Sequence, residues 1–143
     1  MALAHQPVLY QEIITALRPH RSGRYVDGTL GAGGHAAGLL KASAPDGLLL
    51  GLDLDPQALA LARERLAPFG KRVCIVQASY TSLADQLQGL GWGPVDGILL
   101  DLGASSMQFD SPERGFSFLA DGPLDMRFDP RSPLTADEIV NRW

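Results

Sequence analysis

Tyr25-Val26-Asp27-Gly28-Thr29-Leu30-Gly31-Ala32-Gly33-Gly34-His35 is the stretch that decides the fold of this 143-residue chain. Arg24 to Asp27 reads as a short strand, and the turn GTLGAGG leads into a helical pattern from His35 to Lys41. Glycines at 31, 33 and 34 lack a Cβ, so the backbone there can take positive φ and approach a ligand closely. The helix that follows offers unpaired N–H groups at its start to a polar or anionic group. Asp53 stands twenty residues beyond Gly33, near the end of a second apolar run, Leu48 to Leu54. In a strand–helix–strand unit an acid at that distance commonly accepts hydrogen bonds from ribose hydroxyls. A glycine turn with a capping aspartate is the plain alternative. The ordered succession of strand, loop, helix, strand and acid weighs against it.

The pattern continues on both sides. Leu9, Ile13, Ala16 and Leu17 recur at spacings of four and three, which predicts an amphipathic helix over 7–17 that Pro19 discourages from continuing. Asp55-Pro56 is good helix-start chemistry, and Leu59, Ala62 and Leu66 supply the buried stripe behind it. Val73 to Val76 predicts a third strand, Leu83 to Leu90 a short helix, and Val95 to Leu102 a fourth strand, a continuous apolar run. Residues 104–135 are rich in Gly, Pro, Ser and Asp and carry no sustained period. Thr135, with Glu138 three residues on, caps a last helix. Strands alternating with helices predict an α/β fold, a Rossmann-like partial parallel sheet of four strands with flanking helices. The expected division is 1–106 for that domain and 107–143 for a loop and the start of a helical segment.

Composition narrows the class. The chain is 45% hydrophobic and 20% charged, as a water-soluble globular protein is, and no run of eighteen apolar residues suggests a membrane span. The first residues, MALAHQPVLYQEI, lack the pattern of a secretory signal. The single cysteine, Cys74, lies in an apolar run and reads as a packed strand residue rather than a nucleophile. Together these features predict a cytoplasmic protein with no metal centre. The net charge of −4 argues mildly against nucleic acid, and the basic residues look scattered along the chain. The one loose cluster, Arg114, Arg127 and Arg131, is interleaved with Glu113, Asp121, Asp125 and Asp129.

Two ligands compete for the glycine turn. Gly31-Ala32-Gly33-Gly34-His35-Ala36 also fits the dinucleotide pattern G-x-G-x-x-A. Asp27, four residues before Gly31, would repel a pyrophosphate there but suits the cationic amino-acid end of S-adenosylmethionine. Asp101 closes the fourth apolar run beside the same crevice, so acids at 27, 53 and 101 surround it. A second role for Asp27 stays open, that of holding the turn through backbone amides.

Longer strings identify the chain further: HQPVLYQE at 5–12, YVDGTLGAGGH at 25–35, GLDLDPQAL at 51–59, VDGILLDLGASSMQFD at 95–110, RGFSF at 114–118 and DGPLDMRFD at 121–129. With these the sequence resembles the bacterial small-subunit (16S) ribosomal RNA cytosine-N4 methyltransferase H family, over nearly its whole length. The resemblance implies a class I S-adenosylmethionine-dependent methyltransferase. It implies cofactor contacts at Gly33, Gly34 and His35, Asp53 on the ribose, Tyr80 near the adenine, and further contacts at Asp101 and Gln108. The family usually has Phe at position 80, and Val and Pro where Ala104 and Met107 stand. The implied partner is small-subunit ribosomal RNA, within the assembled subunit, with a homodimer left open. Residues 107–143 would begin a helical substrate-recognition insertion, and family members continue well past Trp143. An incomplete sheet would leave an apolar edge on the fourth strand, and this chain alone is expected to bind cofactor weakly.

The implied reaction moves a sulfonium methyl to the exocyclic N4 amine of a cytidine. That amine is a poor nucleophile and needs a proton acceptor. Asp101-Leu102-Gly103-Ala104-Ser105-Ser106 lacks the Pro-Pro-aromatic sequence that many amine methyltransferases place there, so Asp101, Ser105 and Ser106 are all candidates. His35, Tyr80 and Gln108 each have an ordinary structural reading, and Arg114 and Arg127 read equally as local ion pairs. Three rival functions stand beside this one: a methyltransferase for another substrate, a truncated non-catalytic cofactor-binding module, and a nicotinamide-dependent oxidoreductase.

Overall fold

A computed structural model describes residues 7–143 and divides the chain into two compact units, one through Asp101 and one of Leu102–Trp143. His5 and Gln6 of HQPVLYQE, and the opening residues read for a signal sequence, lie outside the described residues. The expected boundary after residue 106 and the division after Asp101 differ by five residues.

The first unit runs α1 (Tyr10–Leu17), β1 (Arg24–Asp27), α2 (Gly34–Ala42), β2 (Leu48–Asp53), α3 (Pro56–Leu66), β3 (Val73–Gln77), α4 (Leu83–Gly89) and β4 (Gly97–Leu99). All strand pairs are parallel, in the order β3-β2-β1-β4. Period-two alternation sorts the strands' side chains onto two faces. Tyr25 and Leu49 pack with Leu30, Leu39, Leu40, Leu59 and Leu66, while Ile14 and Leu17 of α1 close over that face. Val26, Leu50 and Leu52 face the other way, against Cys74, Val76, Leu83, Leu87 and Trp92. Cys74 is thus the strand residue its surroundings in the sequence imply. α3 starts where Asp55 accepts a hydrogen bond from Gln57 N–H with Pro56 behind it.

Two elements depart from expectation. The helix expected over 7–17 begins only at Tyr10, because Leu9 sits in the left-handed region at φ 51°. The fourth strand, expected over 95–102, is three residues long. Among the described residues its one neighbour is β1, and their ladder ends at Asp27↔Leu99, where β1 turns away into the glycine loop. β4 is therefore an edge, with Ile98 and Leu100 nearly half exposed.

The second unit contains α5 (Ser106–Phe109), a 3-10 turn at Pro112–Arg114 and α6 (Ala136–Arg142). Polar stitching and a few rings hold it. The buried Arg114 guanidinium donates from Nη2 to the carbonyls of Arg127 (3.0 Å) and Phe128 (3.1 Å). Phe116 meets Phe109 and Phe128 edge-on at 6.3 and 5.3 Å. Gly115 has φ 73°, and a Cβ there would run into the Pro123 carbonyl. RGFSF and DGPLDMRFD, the most distinctive strings, are therefore packed on each other. Thr135 and Glu138 cap α6 as the sequence implies.

Candidate functional site

The glycine loop leaves β1 at Asp27 and is fastened on both sides. Gly28 N–H donates to the Leu99 carbonyl (2.9 Å), Leu30 N–H to the Leu52 carbonyl (2.8 Å), and Gly31 N–H to Asp53 Oδ2 (2.7 Å). Those bonds pin the loop to β4 and β2 at the carboxyl edge of the sheet, where ligands of open α/β sheets bind. Gly31 and Gly33 take φ 53° and 77°, a region that residues with a Cβ enter at a cost. A Cβ on Gly33 would also press on Leu66, and one on Gly34 would strike Pro7. Past them, α2 begins with Gly33 as its N-cap and no side-chain cap, leaving first-turn N–H groups for a ligand.

Three carboxylates stand at this edge. Asp27 is 1% exposed, and its Oδ1 accepts from Thr29 N–H at 3.2 Å. Burial, seconded by the charges of Asp53 and Asp101, pushes its carboxyl up to about 7, against the pull of the Thr29 N–H. Asp27 therefore does hold the turn, and among the described residues no ion pair neutralises its ionic form. Asp53, half-buried, accepts Gly31 N–H on Oδ2 and Asp55 N–H (2.9 Å) on Oδ1, and each oxygen keeps a second lone pair. Asp101 is exposed, and its N–H donates to Thr29 Oγ1 at 2.7 Å. Thr29 thus links the acid that opens the loop to the one that follows β4.

The remaining expected contacts fall into three groups. Tyr80 stands at the same edge, its ring side 42% exposed and its Cβ about 3.1 Å from where a Gly28 Cβ would lie. His35 is buried, with Nε2 2.9 Å from the Val8 carbonyl and the ring stacked on Tyr10 at 6.2 Å. Its side chain is committed to the N-terminal segment, so a ligand would meet its backbone N–H. Gln108 belongs to the second unit, buried, with Oε1 accepting Ser105 N–H at 2.9 Å. Ser105 and Ser106 lie with it around the start of α5. Sequence reading missed Thr29 and Tyr10. The hydroxyl directly after Asp-Gly was the available signal for the first, but nothing local pointed to the second.

A parallel sheet with a glycine loop, a helix N-terminus and acids at its carboxyl edge defines a Rossmann-like α/β fold. Solved structures carry the same fold: an rRNA methylase from Streptococcus thermophilus superposes with a TM-score of 0.55 at 21% identity, covering 71% of this chain and 58% of that one. A protein-L-isoaspartate O-methyltransferase does so at 0.56 and 17%, covering 68% and 29%. The chain belongs to the MraW methylase family, whose model matches residues 2–143. It is 53% identical over 143 residues to the ribosomal RNA small subunit methyltransferase H of Symbiobacterium thermophilum, covering all of this chain and 45% of that protein. To the protein of the same name from Geotalea daltonii it is 56% identical over 137 residues, covering 96% and 44%. The chain thus spans a little under half the length of these relatives.

Proposed function

We propose that this chain carries the S-adenosylmethionine site of an enzyme that methylates the N4 amine of a cytidine in small-subunit ribosomal RNA. The observation that carries the cofactor is Asp27. A carboxyl buried beside two further acids is suited to a cationic ligand and would repel a pyrophosphate. The first-turn N–H groups of α2, at Gly34 and His35, fit a carboxylate, with Gly33 letting the ligand come close. The spare lone pairs of Asp53 fit a ribose diol, and the exposed Tyr80 ring offers a face for an adenine. Gln108 is a further proposed contact. Bound there, the cofactor would supply an electrophilic methyl group. Asp101 is the best placed of the candidate acceptors, because its carboxylate is exposed at the crevice while its backbone is fixed by Thr29. It would take a proton from the target amine, leaving the nitrogen lone pair to attack. The RNA assignment is supported by the relatives' names and by the family-specific strings, and an assembled small subunit in the cytoplasm is proposed as its setting. No helix of the described residues is long and apolar enough to cross a membrane.

Calorimetric titration of the purified chain with S-adenosylmethionine tests this reading. Asp53→Ala is expected to weaken binding about ten- to a hundredfold, the loss of hydrogen bonds to a charged acceptor. A folded chain that does not bind would overturn the cofactor assignment for this chain, and equal binding with and without Asp53 would remove Asp53 from the site. Transfer of labelled methyl to small ribosomal subunits separates the RNA enzyme from a module that only binds cofactor.

A further inference from the structure

The basic residues that look scattered along the sequence gather in the fold. Six of the chain's twelve lysines and arginines (Arg18, Arg21, Arg24, Lys41, Lys71 and Arg72) stand at or between the ends of α1 and α2 and the starts of β1 and β3, at the amino edge of the sheet. Register places them side by side. Arg24 is level with Leu48, Arg72 immediately precedes the Leu49↔Val73 pair, and Lys41 lies in the last turn of α2 beside them. Among the described residues two acids in the connections at this edge, Asp46 and Asp96, are both engaged. Asp46 accepts from Ser22 N–H (2.8 Å) and Ser22 Oγ (2.7 Å), and Asp96 accepts from Arg24 N–H (2.8 Å) and pairs with His20 at 3.4 Å. Two of the cations are used internally. Arg72 donates to the carbonyls of Gly47 and Leu40, and Arg24 lies over the Trp92 ring. The other four, Arg18, Arg21, Lys41 and Lys71, are exposed and make no close ion pair among the described residues, though the charge of Arg21 helps hold the Asp46 carboxyl below its ordinary value.

Helix dipoles account for part of this, since Arg18 and Lys41 lie at the ends of α1 and α2. Lys71 lies with Arg72 in the last turn of the 3-10 helix Ala67–Arg72 before β3, whereas Arg21 lies in the α1–β1 connection, outside any helix. Asp27, Asp53 and Asp101 at the opposite edge disfavour phosphate, and Arg63 and Arg65 in the last turn of α3 are the first unit's other exposed cations. The second unit spends its own arginines internally: Arg114 on carbonyls, Arg127 on Asp125, Arg131 on Asp129 and Arg142 on Glu138. A nucleic-acid substrate must be held by cations somewhere, because phosphate neutralisation supplies much of such affinity.

We propose that the amino edge formed by Arg18, Arg21, Lys41 and Lys71 binds the phosphate backbone of RNA, on the far side of the sheet from the cofactor crevice. The inference rests on the reading of RNA as substrate. With β2 six residues long, the two surfaces lie about 20 Å apart, so the edge engages a part of the folded RNA other than the target nucleotide. The edge sets affinity and salt dependence, and the crevice sets chemistry.

The test is fluorescence anisotropy of a labelled single-stranded RNA oligonucleotide titrated with the full chain across a potassium chloride series. Arg18→Gln/Arg21→Gln/Lys71→Gln is expected to weaken binding tenfold or more at low salt and to flatten the log–log salt slope by about 2, at roughly 0.7 per contact. Arg63→Gln/Arg65→Gln on α3 should leave both unchanged. Arg21→Gln/Lys71→Gln is the second variant should the triple one fail to fold. Unchanged affinity and slope in the edge variant would overturn the proposal. So would loss confined to the α3 variant, no RNA binding by the wild-type chain, or equally tight binding of polyglutamate. S-adenosylmethionine titrations on the same samples keep the two readings apart, since cofactor binding that survives while RNA binding ignores the edge sinks this inference alone.

Discussion

The two units of this chain are built on different physics. The first buries leucines on both faces of a parallel sheet, and its loops hang from that sheet by backbone hydrogen bonds. The second has little to bury. Phe118 and Leu119 are almost fully exposed, and its form comes from a buried guanidinium, edge-on rings and two glycines that only a missing Cβ allows. Apolar burial is non-directional and tolerates change if volume is kept, whereas polar stitching is directional and fails when one partner goes. A glycine loop that must stay in place belongs on the first kind of support.

Substitutions in each unit should expose this difference. Leu50→Ala, at a fully buried position in β2, should cost about 3 kcal/mol and abolish S-adenosylmethionine binding near its lowered melting temperature. Thermal denaturation with and without cofactor checks it. Arg114→Met keeps the bulk of the side chain but leaves two carbonyls without their donor, at about 1–3 kcal/mol. Its effect should be confined to the second unit, with amide exchange rising over 112–130 and the sheet amides unchanged. Equal loss of protection in β1 and β2 would show that the units unfold together.

A pH-dependent effect comes from Asp27. Its carboxyl is raised by burial from 3.8 to about 7, so the folded chain holds a proton that the unfolded chain releases above about pH 4. This group's contribution is therefore fully present below pH 4 and is lost as pH rises to about 7. In Asp27→Asn that fall should vanish, and the difference between the two melting curves over pH 4–8 isolates it from other titrations. Cofactor affinity should move the opposite way in the wild type, rising as Asp27 ionises, and stay flat and weaker in the variant. The smallest effect is expected for Arg131→Ala. Its pair with Asp129 is largely exposed, and loss of it should leave the melting temperature within error.

Much of this was legible in the chain itself. GTLGAGG followed by an alternating pattern and Asp53 specified strand, loop and helix because periods of 2 and 3.6 and the need for a missing Cβ are local properties. Asp55-Pro56 and Thr135…Glu138 marked helix starts for the same reason. The length of β4 was not legible, since an apolar run says what can be buried and not how many residues find a partner. Nor was the role of His35, whose ring answers to Val8 and Tyr10, far back in the chain.

The sequence by itself determined the fold class, the family and the acids of the crevice, all of which depend on neighbours along the chain. Only the tertiary structure decided that Asp27 is buried among other carboxylates and that Thr29 ties it to Asp101. Only it gathered cations spread over residues 18–72 onto one edge. Burial and electrostatic fields depend on distance in space, and parallel connections bring residues far apart in sequence to the same end of the sheet.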